Sequence, residues 1–315
     1  MPGGNLRLRR PGAFISLRSR IYRLFSQADP GFFLISPCRK RSVASILRGL
    51  FFPVLLHFIV GQILAGAFLA CLSSKGVPDS AYLGWAAEIT AVTGILTTLL
   101  LMPGLIKDEK RRSFLRSGGT KHKVFPKLSL MLLLLVMGAG LSHLMNLAMV
   151  LLEPILSDGS YQEEMNAVAR GKPLWYLILL IGICAPVAEE MVFRLMLFFR
   201  LRDHRSLSFS AVVSAAVFGV YHGSVLQGIY AGVLGLAFAL MLEYTGILTA
   251  SCLLHIGANI WSLILSEYMV TLLYPSYYTY FSVFSVLLIL TTAGGWLWLR
   301  GQYRRKYAAI RNQAG

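Results

Sequence analysis

The chain has 315 residues, of which 30 are Lys or Arg and 14 are Asp or Glu, giving a formal net charge of +16, and 56% are apolar. So apolar a composition excludes a disordered polymer, and four cysteines in this length exclude a disulfide scaffold. An excess of basic residues suits either nucleic acid or a membrane surface, and their placement along the chain decides between the two.

Residues 1–50 are rich in Arg and hold a single acid, Asp29, with Phe14, Leu17, Ile21, Leu24 and Phe25 at roughly helical spacing. This pattern predicts a basic cytoplasmic arm, a helix lying on an anionic inner leaflet. An organellar transit peptide has similar composition. The expected location is therefore multi-pass in the cell (inner) membrane, or in an organellar one.

Three apolar runs follow: Phe51 to Leu72, Tyr82 to Ile106 with Glu88 as its one acid, and Leu128 to Leu152. Each is near the roughly 20 residues that a helix needs to cross a bilayer core. A fourth run, Pro173 to about Phe199, is interrupted by Glu189, Glu190 and Arg194. Beyond Leu207 the sequence is almost continuously apolar to Leu299, broken by turn signals at Gly223-Ser224, Tyr244-Thr245-Gly246 and Pro275-Ser276. The expected fold is an all-α polytopic membrane protein of about eight transmembrane helices. It divides into the basic arm (1–50), three spans (51–156), a core (173–272) and a last span with a basic tail (278–315).

The basic residues flank these runs. With the N-terminus inside, they fall in the inner segments Arg7 to Arg48, Lys107 to Lys127, Arg200 to Arg205 and Arg300 to Arg311, whereas the outer loops hold only Lys75, Arg170 and Lys172. Such a bias predicts both termini on the cytoplasmic side. It also accounts for the net charge without nucleic acid, leaving membrane lipid as the expected partner of the basic arm.

Cys38, Cys71, Cys184 and Cys252 have no CxxC spacing and no extracellular pair, so neither a disulfide framework nor a cysteine zinc site is indicated. Ionisable groups within spans are costly unless paired or functional, which makes each one a candidate. Glu243 and Glu267 lie near expected helix ends and read as interfacial. Glu88, His57 and His143 each stand alone on a span, the pattern of an interhelical hydrogen bond.

The fourth span differs. Glu190 and Arg194 stand four residues apart and can pair on one helix face. Glu189 points about 100° away and is left without a local partner, which suits a general acid or base. Two more pairs at the same spacing follow, Phe218 with His222 and His255 with Asn259. His255 and Asn259 can bind one oxygen from the same side, and Phe218 can pack beneath the His222 imidazole. One carboxylate, two histidines and an amide on three spans amount to a water-activating site. Straight spans would put His222 about 24 Å from the inner surface and His255 about 10–13 Å from it. A shared site requires either a fifth helix that starts inside the protein, which the short Ser206 to His222 segment favours, or span boundaries other than these.

At these residues the sequence resembles the CPBP family of intramembrane proteases, the type II CaaX prenyl endopeptidases and their bacterial relatives, whose pattern is EExxxR, FxxxH and HxxxN or HxxxB. It reads here as Glu189-Glu190 with Arg194, Phe218 with His222, and His255 with Asn259, in family order over residues 173–272. Glu163-Glu164, by contrast, has Val168 where the arginine would stand. The resemblance implies an endopeptidase acting on a membrane-associated peptide or protein. Glu189 and His222 would activate water, His255 and Asn259 would bind the oxyanion, and Glu190, Arg194 and Phe218 would support them. It leaves two cofactor readings open. One uses no metal; the other has Glu189, His222 and His255 holding a divalent ion such as Zn, which ionises bound water near neutral pH.

Other intramembrane proteases do not fit, since the chain has no HExxH, its five Asp residues all fall in expected loops or tails, and Gly140-Leu141-Ser142-His143 lacks the last glycine of GxSG. The substrate class stays open between prenylated C-termini and bacteriocin-related or regulatory peptides. The alternative from another class is a non-catalytic membrane scaffold or immunity-type protein of the same fold. A proton-coupled transporter would ordinarily carry an internal repeat, and none is visible.

Overall fold

The computed structural model describes residues 43–117, 126–156, 166–202 and 205–314, and among them there is no strand. Most of the basic arm, Glu163-Glu164 and Asp203 lie outside the described residues. In chain order the helices are α1 (Val43–Ser74), α2 (Ala86–Ser117, entered through a 3₁₀ turn at Asp79–Trp85), α3 (Leu128–Leu156) and α4 (Leu174–Arg202), then α5 (Leu207–Tyr221), α6 (Val225–Thr245), α7 (Leu248–Leu272) and α8 (Pro275–Ala314). Seven of them contain segments long and apolar enough to cross a membrane, and α5 is the exception. Its 15 residues extend about 22 Å, short of the roughly 30 Å hydrocarbon core. The eight expected helices are thus all present, but α5 is too short for a full crossing.

The turns follow local chemistry. Ser206 caps α5 by accepting from the Phe209 N–H, and Ser224 caps α6 by accepting from the Gln227 N–H. Gly246 ends α6 in the left-handed region at φ 69°, returning its N–H to the Leu242 carbonyl. The sequence breaks at 223–224, 244–246 and 275 thus coincide with helix ends.

Helix α4 is not a regular α-helix. Its hydrogen-bond register widens to π over Ile178–Cys184 and again over Met191–Phe198, with a short α segment at Ala185–Glu190 between them. Pro186 sits just after the first widening, where it lacks an N–H and its ring would crowd a carbonyl in an α register. π-turns inside α-helices are often found at functional sites.

In hydrocarbon, helices associate through close packing rather than expulsion of water, so small residues lie where backbones meet. On α3 and α7, a Cβ at Gly138 would overlap the Leu254 carbonyl, and one at Gly257 would overlap the Leu135 carbonyl. On α5 and α6, Gly219 faces the Gly228 carbonyl, and a Cβ at Gly235 would come within 2.8 Å of the Phe218 ring. The interior so formed buries Leu134, Met137, Phe193, Phe218, Phe238 and Leu254, whereas Phe52, Leu55, Ile63, Leu287 and Leu290 face outward as lipid-facing side chains would. Gly138→Val is expected to wedge α3 from α7 and lower stability by about 1–3 kcal/mol or more. Its thermal midpoint in detergent, measured beside that of Gly84→Val at a position with open space, isolates the packing effect.

Candidate active site

The two adjacent glutamates on α4 have opposite surroundings. Glu190 is fully buried: Arg194 Nε lies 3.1 Å from its Oε2, Ser251 Oγ donates to the same oxygen at 2.5 Å, and His255 Nδ1 lies 3.2 Å from Oε1. Glu189 retains some exposure, 13% of its side chain, and among the described residues its one ion-pair contact is His255 Nε2 at 3.8 Å. His255 therefore lies between the carboxylates, with Nδ1 donating to Glu190 and Nε2 on the side of Glu189. The pairing of Glu190 with Arg194 is as expected from their spacing. That Glu189 has His255 as a neighbour could not be read from a single helix.

Arg194 is sealed as completely as Glu190. Its Nη1 donates to Ser214 Oγ at 3.2 Å, and Ser214 in turn donates to the Phe193 carbonyl at 3.0 Å, within the second π segment. The guanidinium carbon lies 4.8 Å from the Phe218 ring centre and 5.6 Å from that of Phe238, so the cation is also held by aromatic faces.

Phe218 is the hub of the site. Its ring lies edge-to-face with His222 at 4.7 Å and with His255 at 5.8 Å between centroids. The two imidazoles are thus no farther apart than these distances combined, despite the separation in depth expected from straight spans. The reason is packing. Because α5 is short and lies against the small-residue face of α6, Phe218 reaches Gly235 and the interior beneath it. His222 caps the C-terminal end of α5 and donates from Nδ1 to the Phe218 carbonyl at 2.8 Å, since a carbonyl can only accept. That bond leaves Nε2 as the free edge of His222. Phe238 stacks on the His255 imidazole, 4.3 Å between centroids and 23° between planes.

Asn259 has a commitment that follows from the irregularity of α4. The Ala185 N–H bonds back to the Leu180 carbonyl in π register. The next residue, Pro186, has no N–H to offer Ile181. Asn259 Nδ2 donates to that orphaned Ile181 carbonyl at 3.0 Å. The second N–H of the amide is left to donate elsewhere. Asn259→Ala is expected to leave the carbonyl unsatisfied in an apolar interior, lowering stability by about 1–3 kcal/mol; thermal unfolding in detergent checks this, and an unchanged midpoint would mean that water takes the vacated position.

The polar residues assigned to interhelical bonding behave so. His57 Nδ1 lies 2.6 Å from Thr97 Oγ1, and Trp261 Nε1 donates to His143 Nδ1 at 3.3 Å. Glu88 pairs with Lys172 at 2.5 Å and accepts from the Tyr176 hydroxyl. Glu243 is clamped by Arg202 at 2.9 Å and by Tyr303, while Glu267 is exposed. Sequence reasoning missed Ser251, Ser214 and Phe238 as parts of the site. Ser251 had a signal, since Ser251, His255 and Asn259 form a stripe at intervals of four along α7. Ser214 and Phe238 had none, because their roles depend on which helices face α4.

A metal would need these donors to share one ion. Each histidine has its Nδ1 held, as metal ligands commonly do, and the Nε2 of His255 faces Glu189. Even so, among the described residues no three His, Cys, Asp or Glu side chains converge closely enough to hold an ion. Glu189, His222 and His255 in this arrangement do not form a ligand set, and no step below is routed through a metal.

Residues 171–261 match the family model described as Type II CAAX prenyl endopeptidase Rce1-like. That segment holds all seven motif residues, which supports the likeness to the CPBP family read from their spacing. No curated protein and no solved structure matches the chain. The apolar helices and the matched segment together support a multi-pass integral membrane protein carrying a protease domain of the CAAX endopeptidase type.

Proposed function

We propose that this protein is an intramembrane endopeptidase that hydrolyses a peptide bond in a membrane-tethered protein or peptide, with Glu189 as the general base. The observation that carries the reading is the contrast between the carboxylates. Glu190 has both oxygens engaged, by Arg194, Ser251 and His255, whereas Glu189 keeps lone pairs for water. Glu189 takes a proton from a water also bound by His222 Nε2. The oxygen attacks the scissile carbonyl carbon, and the oxyanion that forms accepts from the second N–H of Asn259 and, when His255 is the imidazolium, from its Nε2–H as well. Collapse of this intermediate breaks the C–N bond, and the proton held by Glu189 leaves on the amine. Oxyanion donors of this kind are each worth about 10²–10³ in rate.

The charge bias of the segments flanking the spans supports cytoplasmic termini, and the matched family supports a substrate with a prenylated CaaX end. Terminal proteomics of membrane fractions, comparing wild type with His222→Ala and His255→Ala at matched expression, tests the reading. Shortened termini that vanish in both variants support proteolysis and identify the substrate. If no peptide changes while a wild-type phenotype survives both substitutions, the scaffold reading replaces it.

A further inference from the structure

Tyr221 immediately precedes His222, and its ring is gripped from three sides. His57 of α1 stacks on it at 5.3 Å and 27°, Phe193 of α4 meets it edge-on at 5.3 Å, and Phe58 of α1 does so at 6.5 Å. Phe193 also touches Phe218 at 4.9 Å, so Tyr221 belongs to the same aromatic assembly as the hub. The Tyr221 ring also lies edge-to-face with that of His222, 6.2 Å between centroids.

None of these packing contacts requires a hydroxyl; phenylalanine would fill the place equally, as it does at 58, 193 and 218. Among the described residues the Tyr221 hydroxyl has no hydrogen-bond partner, yet it is not one of the sealed, unsatisfied polar atoms of the interior. It is therefore accessible, on a ring that adjoins His222. A hydroxyl removed from water without a partner costs free energy, whereas one that meets a carbonyl is stabilising.

We infer that Tyr221 is a further substrate-contacting residue, donating a hydrogen bond from its hydroxyl to a carbonyl of the peptide held beside Glu189, with α1 bracing the ring through His57 and Phe58. This rests on the endopeptidase reading but adds a donor outside the motif residues. It also brings α1, which lies outside the matched segment 171–261, into the architecture of the site.

The test is kcat/KM for an internally quenched farnesylated CaaX peptide and for its unprenylated counterpart, using full-length protein in proteoliposomes, for wild type, Tyr221→Phe and Glu189→Gln. Tyr221→Phe removes one oxygen and keeps the ring, so the thermal midpoint should stay at the wild-type value. Its kcat/KM is expected to fall by about 10²-fold, the scale of one lost transition-state donor. A kcat/KM within twofold of wild type overturns the inference, and a lowered midpoint with unchanged kcat/KM overturns it in favour of a structural water on the hydroxyl. Glu189→Gln separates the two claims: if that variant keeps cleaving, the general-base assignment fails while the Tyr221 comparison still reads directly.

Discussion

Glu189→Gln is expected to reduce peptide hydrolysis by about 10²–10⁴-fold, the range that a positioned general base contributes. The substitution keeps the size of the side chain and removes its ability to take a proton. Nothing in the packing depends on the Glu189 charge in the way that it depends on Glu190, because the nearest ion-pair partner of Glu189, His255, is also held by Glu190. The variant should therefore fold, insert and unfold at the wild-type midpoint. Single-turnover cleavage in proteoliposomes, with the midpoint as control, measures both. Retained cleavage would mean that another group activates the water, and Glu190 would be a poor substitute since its oxygens are already occupied.

Arg194→Leu is expected to have the largest effect on stability, about 3–5 kcal/mol, because it strands the Glu190 carboxylate in a site without solvent. The loss goes beyond one ion pair. Arg194 also holds Ser214, which satisfies the Phe193 carbonyl, and lies against Phe218 and Phe238. A Glu190→Gln/Arg194→Leu double variant removes the stranded charge and should recover part of the lost stability, even though it carries two changes. Thermal unfolding of the single and double variants in detergent reads this coupling. Equal midpoints for wild type and Arg194→Leu would show that water reaches Glu190 and that the pair is not sealed.

The candidate site was legible to the extent that it is local. Glu190 with Arg194, and His255 with Asn259, were found because helix periodicity alone puts residues four apart on one face. The expected full crossing of the fifth helix was not met, because a continuous apolar run contains no mark of depth. Straight-helix arithmetic therefore separated His222 from His255, whereas packing of α5 on α6 brings Phe218 against both. Nor did the spacing reveal that one amide hydrogen of Asn259 is taken by Ile181, since that bond exists only because α4 widens before Pro186.

The sequence by itself determined the membrane class, the order of the helices, their breaks at 223–224, 244–246 and 275, and the identity of the seven motif residues. These are written in composition and short-range spacing, because insertion in lipid and helix formation are set within one segment. Tertiary structure decided which glutamate is sealed and which keeps some exposure, that Phe218 joins the two histidines, and that Ser251, Ser214 and Phe238 pack around the sealed ion pair and His255. Those outcomes depend on close approaches between helices, set by Gly138 and Gly257 on one pair and by Gly219, Gly228 and Gly235 on another. Such contacts join residues far apart in the chain, and periodicity along any one helix carries no information about its neighbour.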